Sequence, residues 1–226
     1  MNTTKTEYQR RLKEVEIYLE TVRFFDKGLR TIECTDINGD KYVQAVNEDL
    51  VKILKANGFL ILYNLIEATI RNSIVAILNS IEIDMLPYRK LSDKLKRLWL
   101  RQEINEISEK GKLMERVEII SRTILDDSLP TLERECVNIS GNIDAQKIRD
   151  IAKQFGYDET KDGRQLVIIK DKRNILAHGE YTFSDVGKDY TYNELVKLKD
   201  ETVLYIEDVL DKVELYINNK GYLSKT

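Results

Sequence analysis

Histidine occurs once in this chain of 226 residues, and cysteine and proline occur only twice each. Each scarcity excludes a class of function. Cys34 and Cys136 stand alone in the sequence, which rules out a disulfide framework or a cysteine zinc site and fits a reducing compartment. Both read as ordinary small residues, buried or half-buried. With one histidine and no paired cysteines a transition-metal site is not expected, and the carboxylates form no compact cluster for a harder cation. Asp36-Ile37-Asn38-Gly39-Asp40 begins like a calcium loop, but its glycine comes too early and Asn47 stands where a bidentate glutamate is needed. No glycine-rich phosphate loop and no nucleophile elbow occur. No cofactor and no bound metal are therefore expected.

Charge of one sign is also missing. Lys and Arg total 36 against 39 Asp and Glu, so no global field attracts a polyanion and any contact with nucleic acid has to be local. Met1-Asn2-Thr3-Thr4-Lys5-Thr6-Glu7 turns charged at once and lacks the apolar core of an export signal. The most apolar run, from Phe59 to Glu67, is broken by Asn64, Glu67, Arg71 and Asn72, short of the roughly 20 apolar residues that span a bilayer. The expectation is a cytoplasmic protein with no membrane partner.

What is present is helical patterning. Few glycines and prolines interrupt it, and charge is interleaved with Leu, Ile and Val throughout, which predicts an all-α fold in one domain over 1–226. A first helix over 6–27 carries Leu12, Val15, Tyr18, Leu19 and Val22 at three- and four-residue spacing. Near 29–46 the pattern changes to short β-prone runs around Asn38-Gly39, a signal for a small β-hairpin insertion. The second helix, about 47–81, is apolar almost all round through Leu50, Ile53, Leu54, Ile61, Leu65, Ile70, Ile74, Ile77 and Leu78, and is expected at the centre of a bundle. Pro87 opens a third helical stretch through Leu91, Leu95, Leu98 and Trp99, and a fourth runs from Lys112 to about Ile124. A short helix over 143–155 buries Ile148, Ile151, Ala152 and Phe155 and ends at Gly156. A further helix runs from about Gln165 to His178 and is closed by Gly179. Thr191-Tyr192-Asn193-Glu194 has the spacing of a capping box and opens a last helix, with a stripe of Leu195, Leu198, Ile206, Val209, Val213 and Ile217.

The segment that can carry chemistry is Lys170-Asp171-Lys172-Arg173-Asn174-Ile175-Leu176-Ala177-His178-Gly179. A histidine in the last turn of a helix can simply interact with the helix dipole, and Lys170 and Lys172 can be a solvated face. The order of the residues points further. Arg-Asn-x-x-Ala-His-Gly between two helices resembles the signature of the HEPN superfamily, an arginine followed by a polar residue and, a few positions on, a histidine. Arg173, Asn174 and His178 occupy those three places. The likeness extends to Ile148-Arg149-Asp150-Ile151-Ala152, to Gly163 through Val167, to Tyr181, Phe183 and Tyr190, and to the capping box. Tyr63-Asn64-Leu65-Ile66-Glu67-Ala68-Thr69-Ile70-Arg71 resembles the bacterial MAE-type branch. Residues 82–140 match least.

The resemblance implies a HEPN-type helical bundle that forms a homodimer and, in many members, is a metal-independent endoribonuclease. Such members often serve as a toxin or phage-defence effector, with an antitoxin or regulatory partner protein. Other members bind a nucleotide or a partner without catalysis, so both readings stand. The residue types suit the first. RNA carries its own nucleophile, and histidine, with an unperturbed pKa of ~6.5, can act as acid or base. Arg173 supplies a charged fork for phosphate oxygens, and Asn174, four residues before His178, can orient the imidazole or a phosphate.

One histidine cannot be acid and base in one turnover, and a two-fold dimer supplies the second copy. Arg173 and His178, five positions apart, point ~140° from one another on a helix of about 3.6 residues per turn, so Arg173 is expected to serve the partner's site more directly than its own. Glu67 and Arg71 form either a surface ion pair or the wall of the cleft facing the motif. Tyr181, with Tyr190 and Tyr192, either stacks on RNA bases or packs on the last helix. The candidate set is Arg173, Asn174 and His178 for catalysis, with Glu67, Arg71, Lys170, Lys172 and Tyr181 supporting or contacting RNA.

Overall fold

The computed structural model describes residues 1–26, 28, 31–137, 139 and 141–224. Helices dominate, and the only sheet among the described residues is one antiparallel hairpin. The chain divides into two compact units, each assembled from segments far apart in sequence.

The first unit, Thr6–Ala68 with Gly163–Tyr205, carries the motif. Helix α1 (Asn2–Asp26) enters it at Thr6 and buries Leu12, Val15, Leu19 and Val22, the positions that its spacing predicts. Its Tyr18 hydroxyl donates to the Leu54 carbonyl, and burial pushes the phenol up to about 12. Strands β1 (Thr31–Thr35) and β2 (Lys41–Ala45) follow, paired so that Cys34 faces Tyr42 and Glu33 faces Val43. Residues 29 and 30, which open the expected insertion, lie outside the described residues. The turn is closed by Asp36, whose carboxylate accepts from the backbone N–H of Asp40 and of Asn38, while Gly39 takes the left-handed conformation. These hydrogen bonds, the one from Asp40 first, hold the Asp36 carboxyl below its usual range. The pattern that resembles a calcium loop is thus used to make a hairpin turn.

Helix α2 (Glu48–Ile83) begins in this unit. Ala56, Phe59, Leu62, Leu65 and Ile66 are buried, but Leu50 and Ile53, expected inside a central helix, are 39% and 37% exposed. By length and composition alone α2 could cross a membrane; half of its most apolar window is buried within the fold, and the core helix of a protein passes the same test. Helix α6 (Arg164–Ala177), the short α7 (Phe183–Gly187) and the first turns of α8 (Tyr192–Asn218) complete the unit. Helix α7 had no counterpart among the expected elements. Its signal is Thr182-x-x-Asp185, in which the Thr182 hydroxyl accepts from the Asp185 N–H and donates to the Asp185 carboxylate.

The second unit comprises Met1–Lys5, Thr69–Asp162 and Ile206–Thr226. Ile70, Ile74 and Ile77 of α2 and Ile206, Val209 and Val213 of α8 are buried here, as their stripes predict, and Leu210, outside the expected stripe, is buried as well. The stretch after Pro87 is not one helix. Pro87 opens a 3-10 turn over Tyr88–Lys90, and α3 (Asp93–Lys110) starts separately, with the Ser92 hydroxyl capping the Leu95 N–H. Serine at that position starts a new helix because its side chain satisfies a backbone donor that the first helical turn leaves unpaired. Helix α4 (Leu113–Leu125) and helix α5 (Ala145–Phe155) lie within two residues of their expected bounds. Asp144 caps α5 at its start and a left-handed Gly156 ends it.

Candidate functional site

Helix α6 forms because Leu166, Ile169 and Leu176 fall on one face, all buried, while Gln165 ties the helix to α8 by donating to the Glu201 carbonyl at 2.9 Å. That burial places Lys170, Lys172, Arg173 and Asn174 half-buried along its flanks. Helix α6 ends in a Schellman turn. Glu180 N–H reaches the Ile175 carbonyl, Gly179 N–H reaches the Leu176 carbonyl, and Gly179 takes the positive φ of 69° that the turn requires. His178 is the last residue before this reversal and is exposed. Among the described residues no side chain hydrogen-bonds its imidazole.

Arg173 is held from two directions. Its guanidinium lies over the ring of Tyr63 at 4.6 Å from the centroid, and one terminal nitrogen donates to the Asn174 side-chain oxygen at 3.0 Å. A ring face attracts the guanidinium as a cation, while its N–H donors, which lie in its plane, are the groups that meet a phosphate. The structure therefore brings together Arg173, Asn174 and Tyr63, which lies in the α2 segment that resembles the MAE-type branch. Glu67, one turn beyond Tyr63, is half-buried; Arg71 is exposed and falls in the second unit. Lys170 is 3.5 Å from the Asp171 carboxylate.

Lys172 points elsewhere. Its ammonium lies 5.6 Å from the centroid of Tyr190, whose ring meets Phe59 edge-on at 4.8 Å. Burial pushes the Tyr190 phenol up. Lys172 also lines a groove of about 430 Å³ shared by α6 and α7, together with Tyr181, 59% exposed. Ile175 and Val186 supply its apolar lining, and Asp185, Lys188 and Asp189 its polar part. Lys188 pairs with Asp185 at 3.1 Å, and the Thr182 hydroxyl and then Lys188 hold that carboxyl below its usual range. Sequence reasoning named Lys172 and Tyr181 but not the α7 residues, because α7 itself was not expected. Tyr63 has no role assigned by the sequence pattern, and its place one turn before Glu67 is the available signal. Among the described residues no group of three His, Cys, Asp or Glu side chains is arranged to hold a metal ion.

The all-α fold and the Arg-Asn-His segment at a helix end define a HEPN domain, a class often made up of ribonucleases. The family model described as HEPN_MAE_28990-like HEPN matches residues 3–222, and the chain belongs to that family. No curated protein and no solved structure matches it significantly.

Proposed function

We propose that this HEPN domain is a metal-independent endoribonuclease in which His178 moves protons, Arg173 faces the scissile phosphate and Asn174 orients. The carrying observation is the Arg173 guanidinium held over the Tyr63 ring and tied to Asn174, one turn before an exposed His178. In the reaction, a neutral imidazole takes the proton of the RNA 2′-hydroxyl. That oxygen attacks phosphorus, the bond to the 5′-oxygen breaks, and a protonated imidazole returns a proton to the leaving oxygen. Two imidazoles are needed at once, so the working form is a homodimer that supplies a second His178. Arg173 offsets the charge of the phosphorane. Asn174, whose side-chain oxygen accepts from Arg173, acts by fixing the guanidinium rather than the imidazole. Glu67, Arg71, Lys170, Lys172 and Tyr181 are the supporting or RNA-contacting residues of this reading.

The family resemblance supports the wider role of a toxin or phage-defence effector in the cytoplasm, restrained or triggered by a partner protein. The test is incubation of purified protein with transfer RNA and messenger RNA in EDTA, beside His178→Ala. Cleavage by the wild type alone, leaving 2′,3′-cyclic phosphate ends, is expected; ends bearing a 3′-hydroxyl refute it. The second reading, a non-catalytic module that binds a nucleotide or a partner protein through the same surface, is favoured by the formal charge of −3 and the pI near 5.5. Identical RNA profiles for the two proteins support that reading.

A further inference from the structure

We infer that the groove between α6 and α7 is a base pocket for one nucleotide of the RNA, and that Asp189 makes it select guanine. The inference rests on the ribonuclease reading only for its substrate, since the pocket can be tested without cleavage. The groove adjoins the motif in the chain: Lys172 precedes Arg173, Ile175 follows Asn174, and Tyr181 lies three residues after His178.

Its chemistry suits a base and not a phosphate. A phosphate track is uniformly basic, whereas here Lys172 and Lys188 are balanced by Asp185 and Asp189. The remaining lining is Ile175, Val186 and the exposed ring of Tyr181, a combination of apolar floor and stacking surface that RNA-binding sites offer to unstacked bases. A volume of about 430 Å³ leaves room for a purine ring with part of its sugar. Three of the four charged groups already have partners. Lys172 lies against Tyr190, and Lys188 and Asp185 pair with each other. Asp189 is exposed at the groove and makes no hydrogen bond or ion pair with any described residue. A carboxylate only accepts hydrogen bonds, and its two oxygens match two adjacent donors. Guanine presents such a pair, N1–H and the 2-amino group, on one edge. Adenine and cytosine offer one amino group beside an acceptor, and uracil a single N–H between two carbonyls.

The test uses the four nucleoside 5′-monophosphates as probes, titrated into the wild-type protein by calorimetry; none has a phosphodiester to cut. GMP is expected to bind about tenfold more tightly than AMP, CMP or UMP, the discrimination of a bidentate contact. Asp189→Asn removes the preference, because an amide offers one acceptor and one donor. Tyr181→Ala weakens all four probes together by removing the stacking face. Equal binding of the four by the wild type overturns the inference, as does a guanine preference that survives Asp189→Asn in a protein with an unchanged melting curve. In parallel, sequencing of RNA ends reads the cleavage. Cuts enriched for guanine at one fixed position support the pocket, and cuts without base enrichment overturn it. Selective GMP binding without any cleavage leaves the pocket standing and refutes the nuclease instead.

Discussion

Single residues decide two things in the motif unit. The first is how closely α7 approaches α2. A Cβ placed on Gly187 would stand 1.8 Å from the Lys52 carbonyl oxygen, a backbone atom that cannot turn aside. Gly187→Ala therefore has to push the two helices apart. Overpacking of a buried site costs about 1–3 kcal/mol, and in a protein of this size each kcal/mol lowers the melting temperature by about 2–4 °C. A thermal melt checks this, and an unchanged midpoint contradicts the close approach. The second is the shape of the cation at residue 173. A lysine ammonium is a point charge that cannot present paired in-plane donors. Arg173→Lys is expected to lose most RNA cleavage while melting close to the wild type, whereas a fully active lysine variant would mean that Arg173 is only a partly buried charge.

At the scale of elements, short polar signals set where helices begin. Thr191 and Glu194 form the reciprocal box expected from their spacing: Glu194 N–H donates to the Thr191 hydroxyl, and the Glu194 carboxylate accepts from Thr191 N–H and from its hydroxyl. Those hydrogen bonds, the backbone one first, hold the Glu194 carboxyl below its ordinary value of 4.5. A depressed carboxyl adds stability that is present above its unfolded value and is lost as pH falls through its folded one. Thr191→Ala should cost about 1 kcal/mol at neutral pH. The gap between variant and wild type should then narrow as the pH falls below 4.5, read from chemical unfolding midpoints at both pH values. A gap that stays constant would show that the hydroxyl–carboxylate bond adds nothing, since the bond from the residue 191 N–H survives the substitution.

The same box at Thr182 and Asp185 opens α7 and was equally legible, yet no helix was expected there. An element of five residues has no apolar period long enough to read. The stretch after Pro87 failed for the opposite reason. Leu91, Leu95 and Leu98 keep a helical spacing across a break that only the Ser92 cap marks.

At the scale of the molecule, the single histidine makes assembly the central question. The proposed chemistry needs two imidazoles, so the protein is expected to be a dimer at assay concentration by light scattering. A monomer that cleaves at full specific activity refutes the shared site. Mixing His178→Ala with Arg173→Ala tells how the site is shared. If each cleft takes His178 from one chain and Arg173 from the other, one cleft of a mixed dimer carries both lesions and the other carries none, so part of the activity returns, a result that overturns the two-imidazole centre. If both histidines meet at a single centre, mixing restores nothing.

Much of this protein was legible from the order of its residues. Apolar positions at three- and four-residue spacing, with caps at Gly156, Gly179 and Thr191, determine the helices, because a helix repeats locally and its ends are satisfied by neighbours in sequence. The Arg-Asn-His segment was visible for the same reason, lying within one helix and its last turn. Only the tertiary structure decided that Arg173 lies over Tyr63 and that Lys172 lies against Tyr190. It alone decided that a five-residue helix closes a groove beside the motif. Arg173 and Tyr63 are 110 positions apart, Lys172 and Tyr190 are 18 apart across an intervening helix, and the approach of α7 to α2 depends on a glycine whose missing side chain lets two backbones meet. Periodicity records which face of a helix is buried, but the partner on that face depends on packing between segments and leaves no mark in local spacing.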